Sequence, residues 1–307
     1  MKHVVFFIYC FFTICAFAQS PDMLVAYTRD AESKKVIGQY DYAVTYKFIY
    51  TIDTVNCEKR TDMQVLKMGK AFSHYYSLFA EKTDSISLEG RYSEENRPQA
   101  HHWLKKDEKA VYTDYYQNYP TAGTLTVRSF IIKFDYEYSE PLVDFDWIMV
   151  PDSTLTILGY PCYLATTSFR GRQYKAYFTT EIPTQYGPWK FRNLPGLILR
   201  VSDTDNLFEW EAVGFTNEGG DIYINDPVEG RKKAKSSRDY TQAVKIVTRE
   251  QLAKLEEKKW KDNPGLRALH GLKAPFVQSP SGQWKRLSID EEHDMFKYPY
   301  IPPLELE

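Results

Sequence analysis

Tyr40, Tyr42, Val44, Tyr46, Phe48 and Tyr50 alternate with Asp41, Ala43, Thr45, Lys47, Ile49 and Thr51. This period of two predicts a strand with one aromatic face, because successive side chains of extended backbone point to opposite sides. The stretches 62–70 (DMQVLKMGK) and 71–79 (AFSHYYSLF) predict a hairpin turning near Gly69. Phe130, Ile132, Phe134, Tyr136 and Tyr138 line one face of a single long strand that follows Gly123. Arg172, Tyr174, Ala176 and Phe178 repeat the alternation, as do Phe208, Trp210 and Ala212 against Glu209 and Glu211. Sequential hairpins with short turns favour antiparallel pairing, and no strand–helix–strand rhythm interrupts them. The fold class expected is mainly β: a curved antiparallel sheet, half-barrel or bowl-like, wrapping a core or a groove, with one or two short helices and an irregular C-terminal tail.

Helical patterning is sparse. Thr248 and Gln251 form a capping box opening TREQLAKLEEKKWKD, with Leu252, Leu255 and Trp260 for an inward face and Pro264-Gly265 as the stop. A second short helix is expected within 80–105, beginning near Asp84. From about residue 264 the chain carries Pro264, Pro275, Pro280, Pro299, Pro302 and Pro303, which predicts an extended tail packed along the sheet.

The first residues change the picture of where the protein acts. Val4 to Ala18 is an almost unbroken apolar run, too short to span a bilayer and ending in Ala16-Phe17-Ala18, a small-x-small cleavage pattern. Residues 1–18 therefore read as a signal peptide, and residues 19–307 as a single domain with no internal repeat or low-complexity linker. Cys10 follows Tyr9 and Cys15 follows Ile14, which disfavours a lipoprotein site. No later apolar run is long enough for a membrane span. The expected location is the periplasm, the outer surface or the medium.

With Lys2 removed from the 39 basic residues, against 41 acidic ones, the mature chain has net charge −3. That balance offers no nucleic-acid footprint. The basic run Arg231-Lys232-Lys233-Ala234-Lys235 with Arg238 reads as a solvated loop, with an anionic surface or polysaccharide as its other use. Cys57 and Cys162 remain after cleavage and permit one disulfide in an exported chain, or two separate thiols. His101-His102 has no supporting His or Cys cluster, so no metal is expected, and no cofactor motif is present.

The densest turn chemistry lies in 159–203. Ile157 to Cys162 reads as a turn between strands, and Phe169-Arg170-Gly171-Arg172 as a tight reversal with both guanidiniums outside. Gly187-Pro188-Trp189 opens a rigid loop anchored by its indole, and Asn193-Leu194-Pro195-Gly196 fits a type II turn before the buried strand Leu197-Ile198-Leu199. GY-C at 159–162, FRGRQYKAYFTTEIP at 169–183, GPWKF at 187–191, NLPGLIL at 193–199 and the ending YPYIPPLELE resemble the GLPGLI family of exported Bacteroidetes-type proteins. Asn193 stands where the family has its first glycine, and asparagine tolerates left-handed backbone better than most residues. The resemblance implies a signal peptide, a secreted or periplasmic location and a mostly antiparallel β fold. It also implies a looser likeness to bowl-shaped β domains joined to exported glycan-cleaving enzymes. It transfers no catalytic residue.

Arg170 and Arg172 are candidates to clamp a carboxylate or phosphate. Trp189, Lys190 and Arg192, with Phe191, mix aromatic and basic character suited to a sugar or an anionic ligand. The first expectation for function is a non-enzymatic binding or accessory protein of the cell envelope, holding a glycan, a lipid or other apolar ligand, or an envelope-protein segment. The alternative is a hydrolase acting on glycans or peptides, with Glu181 and one of Asp144, Asp146 or Asp203 as paired carboxylates. A third reading is an outer-surface structural protein that self-associates.

Overall fold

The computed structural model describes residues 34–91, 104–105, 107–132, 134–226, 243–270, 276–278, 284–286, 288 and 303–306. The leader, His101-His102 and the basic run of 231–238 lie outside these residues, as does the Trp260 side chain. The strands are β1 (Lys34–Tyr40), β2 (Tyr42–Asp53), β3 (Glu58–Met68), β4 (Ser73–Ser77), β5 (Thr113–Gln117), β6 (Thr124–Ile131), β7 (Phe134–Pro141), β8 (Ile148–Ile157), β9 (Tyr160–Phe169), β10 (Arg172–Thr179), β11 (Leu197–Asp203), β12 (Phe208–Thr216), β13 (Gly220–Asn225), β14 (Lys245–Ile246), β15 (Phe276–Gln278) and β16 (Trp284–Arg286). Among the described residues the helices are α1 (Leu78–Arg91), α2 (Arg249–Lys261) and α3 (Asn263–Leu269).

One sheet of 12 strands dominates, in the order β14-β7-β6-β5-β4-β3-β2-β12-β11-β10-β9-β8. It consists of two meanders, β2 to β7 and β8 to β12, joined by the β2–β12 ladder. All its pairings are antiparallel except β14 beside β7, so the sheet is mixed. It is not closed into a barrel. The link from β7 to β8 proves its curvature. Ten inter-strand spacings separate the two, roughly 48 Å if the sheet were flat. Yet only residues 142–147 connect them, and that stretch reaches about 25 Å at most. The sheet must curl until its far strands approach, which is the bowl that the aromatic alternation predicts.

The bowl is filled by its own chain. Val44, Tyr46, Phe48 and Tyr50 on β2, Tyr174, Ala176 and Phe178 on β10, and Phe208, Trp210 and Ala212 on β12 form one buried cluster. Trp189, Phe191 and Leu194, from the loop between β10 and β11, join it, and Phe145 from the 142–147 link lies against Phe191. The Trp210 ring stacks on Phe48 at 4.6 Å and lies near-parallel to Trp189 at 6.1 Å. The aromatic faces therefore surround a packed core rather than an open groove. A second cluster places Leu252 of α2 and Leu266 of α3 over Leu125 and Val127 of β6 and Tyr136 and Tyr138 of β7.

Several local expectations change. The single strand through Phe130 to Tyr138 is two strands, because Ile132 adopts φ 59° and the chain reverses there. Left-handed backbone at a β-branched residue has no signature in sequence. The helix expected near Asp84 starts at Leu78, where the Ser77 hydroxyl accepts from the Ala80 N–H. The capping box at Thr248 forms as expected, but Pro264 opens α3 rather than only ending α2. The Asn193 backbone takes φ 71°, in the left-handed region that asparagine tolerates.

One polar group interrupts the inner face. Asp62 on β3 is buried and accepts from Gln64 Nε2, the Ser77 hydroxyl and the Val111 N–H. Burial outweighs those donors and pushes its carboxyl up to about 7. In the unfolded chain the same group titrates near 3.9, roughly. The folded form thus retains the proton longer, so this contribution to stability is full below about pH 4 and is lost as pH rises towards 7. The stability of Asp62→Asn relative to wild type should rise by on the order of 2–4 kcal/mol between pH 4 and pH 8. Urea unfolding of both proteins at the two pH values checks this, and parallel pH profiles would contradict it.

Candidate functional site

The reversal at 170–171 fixes the first part of the site. Arg170 at φ 42° and Gly171 at φ 77° form the two-residue loop between β9 and β10. Positive φ at both central positions matches the right-handed twist of the flanking strands. Leu158 at φ 53° and Gly159 at φ 85° do the same between β8 and β9. The alternation of β10 then turns Arg172 and Tyr174 inward with Ala176 and Phe178. Trp189 at φ 55°, held by Phe191 N–H donating to the Pro188 carbonyl, drops its indole into the core. The same bend aims Lys190 at the end of β7.

Around these groups lies a partly buried ionic cluster centred on Lys190. Lys190, only 2% exposed, donates to the Tyr138 hydroxyl and to Glu140, each at 2.9 Å, and to Glu305. Arg170 bridges the same two carboxylates, at 2.7 Å from Glu140 and 2.5 Å from Glu305. Arg249, at the start of α2, reaches Glu305 at 3.1 Å. Burial alone would raise the Glu140 carboxyl, but Lys190 and Arg170 overcome it and hold the group below its ordinary range.

Arg172 makes a second layer. Its side chain, 3% exposed, pairs with Asp203 at 3.3 Å and lies over the Phe208 ring. Asp203 also accepts from the Leu207 and Phe208 N–H groups, closing the turn from β11 to β12. Arg172 Nε and Nη2 both donate to the Pro303 carbonyl, and the Tyr174 hydroxyl donates to the Leu304 carbonyl. The Leu306 N–H returns a bond to the Arg170 carbonyl.

The structure therefore brings Arg170, Arg172 and Lys190 together but corrects their setting. Arg172 is buried and Arg170 half-buried, because residues 303–306 run across the hairpin and cover them. Trp189 is a core residue rather than a platform. Arg192 stands apart from the cluster, and its carbonyl accepts from Trp147 Nε1. The 193–196 turn is not type II: Gly196 lacks positive φ, and its N–H turns back to the Leu194 carbonyl. Glycine is needed there for another reason, since a Cβ would sit 1.9 Å from the Thr179 carbonyl oxygen. Glu140, Tyr138, Arg249 and Glu305 escape sequence reasoning, because their partners lie on distant elements.

Cys57 and Cys162 are both free thiols, which corrects the disulfide expectation. Cys57 is exposed in the turn from β2 to β3, and Cys162 is buried on β9, with β12, β11 and β10 between β2 and β9 in the sheet. A bond would need the two Cα atoms within about 7 Å. Burial raises the Cys162 thiol, which opposes a nucleophilic role. A thiol reagent should label Cys57 at once and Cys162 only after denaturation; two immediate equivalents would contradict this placement.

The paired-carboxylate reading does not assemble. Asp203 is committed to Arg172 and to its turn, Asp144 accepts from Asn193 Nδ2, and Glu181 and Asp146 are exposed. Among the described residues no three His, Cys, Asp or Glu side chains are grouped to hold a metal. A separate polar nest lies where His74 packs between the rings of Tyr76 and Tyr116, with Asp114 at 3.4 Å. Its hollow is about 30 Å³, on the scale of ordered water rather than of a substrate.

No family model matches the chain, and no curated protein does. Among solved structures, PNGF-II in its P21 crystal form aligns at TM-score 0.42 and 12% identity, over 70% of this chain and 32% of that one. An uncharacterized conserved protein from Thermus thermophilus aligns at TM-score 0.30 and 9% identity, over 68% of this chain and 90% of that one. A putative outer membrane lipoprotein-sorting protein domain from Vibrio parahaemolyticus aligns at TM-score 0.19 and 6% identity, over 58% and 85%. This chain thus spans about a third of the PNGF-II chain, and likeness at these levels carries no functional argument.

Proposed function

We propose that the protein is an exported, non-enzymatic binding or accessory protein of the cell envelope, kin to the GLPGLI-type proteins, that works by holding a segment of a partner. The observation that supports this reading is what the signature residues do. Groups from β10, the 187–191 loop and α2 converge on a stretch of polypeptide, residues 303–306, and not on a nucleophile or an acid–base pair. The filled bowl favours a ligand at the rim over an apolar molecule inside. No helix among the described residues is long and apolar enough to cross a membrane, which fits a protein that meets its partner from solution.

Native mass spectrometry of the mature protein, released gently from its own cell envelope, tests the reading. Retained mass from a polypeptide is the expected result. A bare monomer that also cleaves a glycan or peptide would overturn it and return attention to the carboxylates.

A further inference from the structure

We infer that the rim built by Arg170, Arg172, Tyr174, Lys190 and Arg249 is a receptor site for an acidic segment of a partner polypeptide, filled in this structure by residues 303–306 as a tethered competitor. The inference rests on the binding reading above and names the chemistry of its ligand.

The way the tail is read supports this. Arg172 and Tyr174 hydrogen-bond to the carbonyls of Pro303 and Leu304, and the Arg170 carbonyl takes the Leu306 N–H. These contacts see main chain and are indifferent to the side chains that accompany it. One position is read by charge: the Glu305 carboxylate meets Lys190, Arg170 and Arg249. Main-chain contacts for affinity and one charged position for identity are a usual division in peptide recognition.

The receptor half loses polar partners when the rim is empty. Lys190 and Arg172 are buried, so removing the tail leaves Lys190 with Glu140 as its one carboxylate and deprives Arg172 of the Pro303 carbonyl. An occupant that brings a carboxylate restores the pairing that Glu305 supplies to Lys190, Arg170 and Arg249, so the site favours an acidic ligand. Gly171 sets the approach. A Cβ there would lie 2.9 Å from Leu306 Cβ, so the occupant passes flat against the hairpin.

The tail's own grip is mostly polar. Pro303 is exposed, Leu304 is half-buried, and Leu306 is 54% exposed. Leu304 packs against the main core, and it is the tail's one apolar anchor among residues 303–306. A tethered segment competes at an effective concentration of about a millimolar. A partner therefore enters by adding contacts, and the tail screens out weak acidic peptides.

The test uses the full chain and a fluorescent peptide, PPLELE, matching residues 302–307. Glu305→Lys disables the tethered occupant, and anisotropy should then show saturable peptide binding at least tenfold tighter than to wild type. The same peptide with Gln at its central glutamate should bind at least tenfold more weakly, and rising salt should weaken binding further. Circular dichroism confirms that the variant is folded. If it is not, a specific protease site placed within 289–302 allows the tail to be cut after folding, and the labelled peptide should replace it. A folded variant that ignores the peptide at millimolar concentration, or a cut tail that peptide cannot displace, would overturn the inference. So would a wild-type dimer joined by exchanged tails, since the occupant would then be a second copy. Failure here with a polypeptide still retained in native mass spectrometry sinks this site alone; failure of both sinks the binding reading.

Discussion

Gly196→Ala is expected to prevent folding. The added Cβ would lie 1.9 Å from the Thr179 carbonyl oxygen, 2.6 Å from the Thr179 carbonyl carbon and 3.0 Å from Thr180 Cα. All three are backbone atoms, so no side chain can rotate away. Leu197 pairs with Thr179 in the β10–β11 ladder, and its N–H donates to the Ile182 carbonyl. Relieving the clash would therefore break the register of two central strands, at a cost of more than about 4 kcal/mol. Gly159→Ala is the control. Nothing lies within 4 Å of its added methyl, so only the positive φ opposes it, at about 1 kcal/mol. Soluble yield and denaturant unfolding separate the two. A Gly196→Ala protein that folds with a loss below about 1 kcal/mol would mean that the 179–180 backbone yields cheaply.

Lys190→Met should be the next most damaging change. It leaves Glu140 and Glu305 facing each other beside Arg170, in a site that water barely reaches. Breaking a buried ion pair at one partner costs about 3–5 kcal/mol, which for a chain of this size lowers Tm by roughly 6–20 °C. Part of that loss should return in Lys190→Met/Glu140→Gln, because the second change removes the stranded charge. Thermal melts of the two variants and the wild type decide it. Equal Tm values for wild type and Lys190→Met would mean that Arg170 and Arg249 balance both carboxylates without it.

Legibility in the sequence followed the range of the interaction. The strands of β2, β10 and β12 were readable because their aromatic period of two is local, and burial then follows from geometry. The α2 capping box and the hairpin turns at 158–159 and 170–171 were readable for the same reason: a few adjacent residues decide the backbone. The reversal at Ile132 was not, since tertiary contacts impose it against the residue's own preference. The candidate site was legible in part. Arg170, Arg172 and Lys190 stood out as basic groups in rigid turns, but their burial depends on a tail far along the chain. Glu305 carries no mark beyond its place between two leucines. Nothing adjacent to Glu140 or Arg249 indicates that both lie within reach of one hairpin.

The ladder that joins the two meanders imposes an order on how the molecule can be made. Tyr46 of β2 pairs with Gln64 on one side and Ala212 on the other. The first partner follows β2 almost immediately, whereas the second is synthesised only after β8 to β11. Until then the first meander presents an open edge whose inner face carries Tyr46, Phe48 and Tyr50, the kind of unpaired aromatic edge that recruits other chains. Closure of such non-local pairs is slow. A chain cut before Phe208 should therefore aggregate rather than rest as a stable half, and the intact chain gains from anything that shields β2 until β12 arrives.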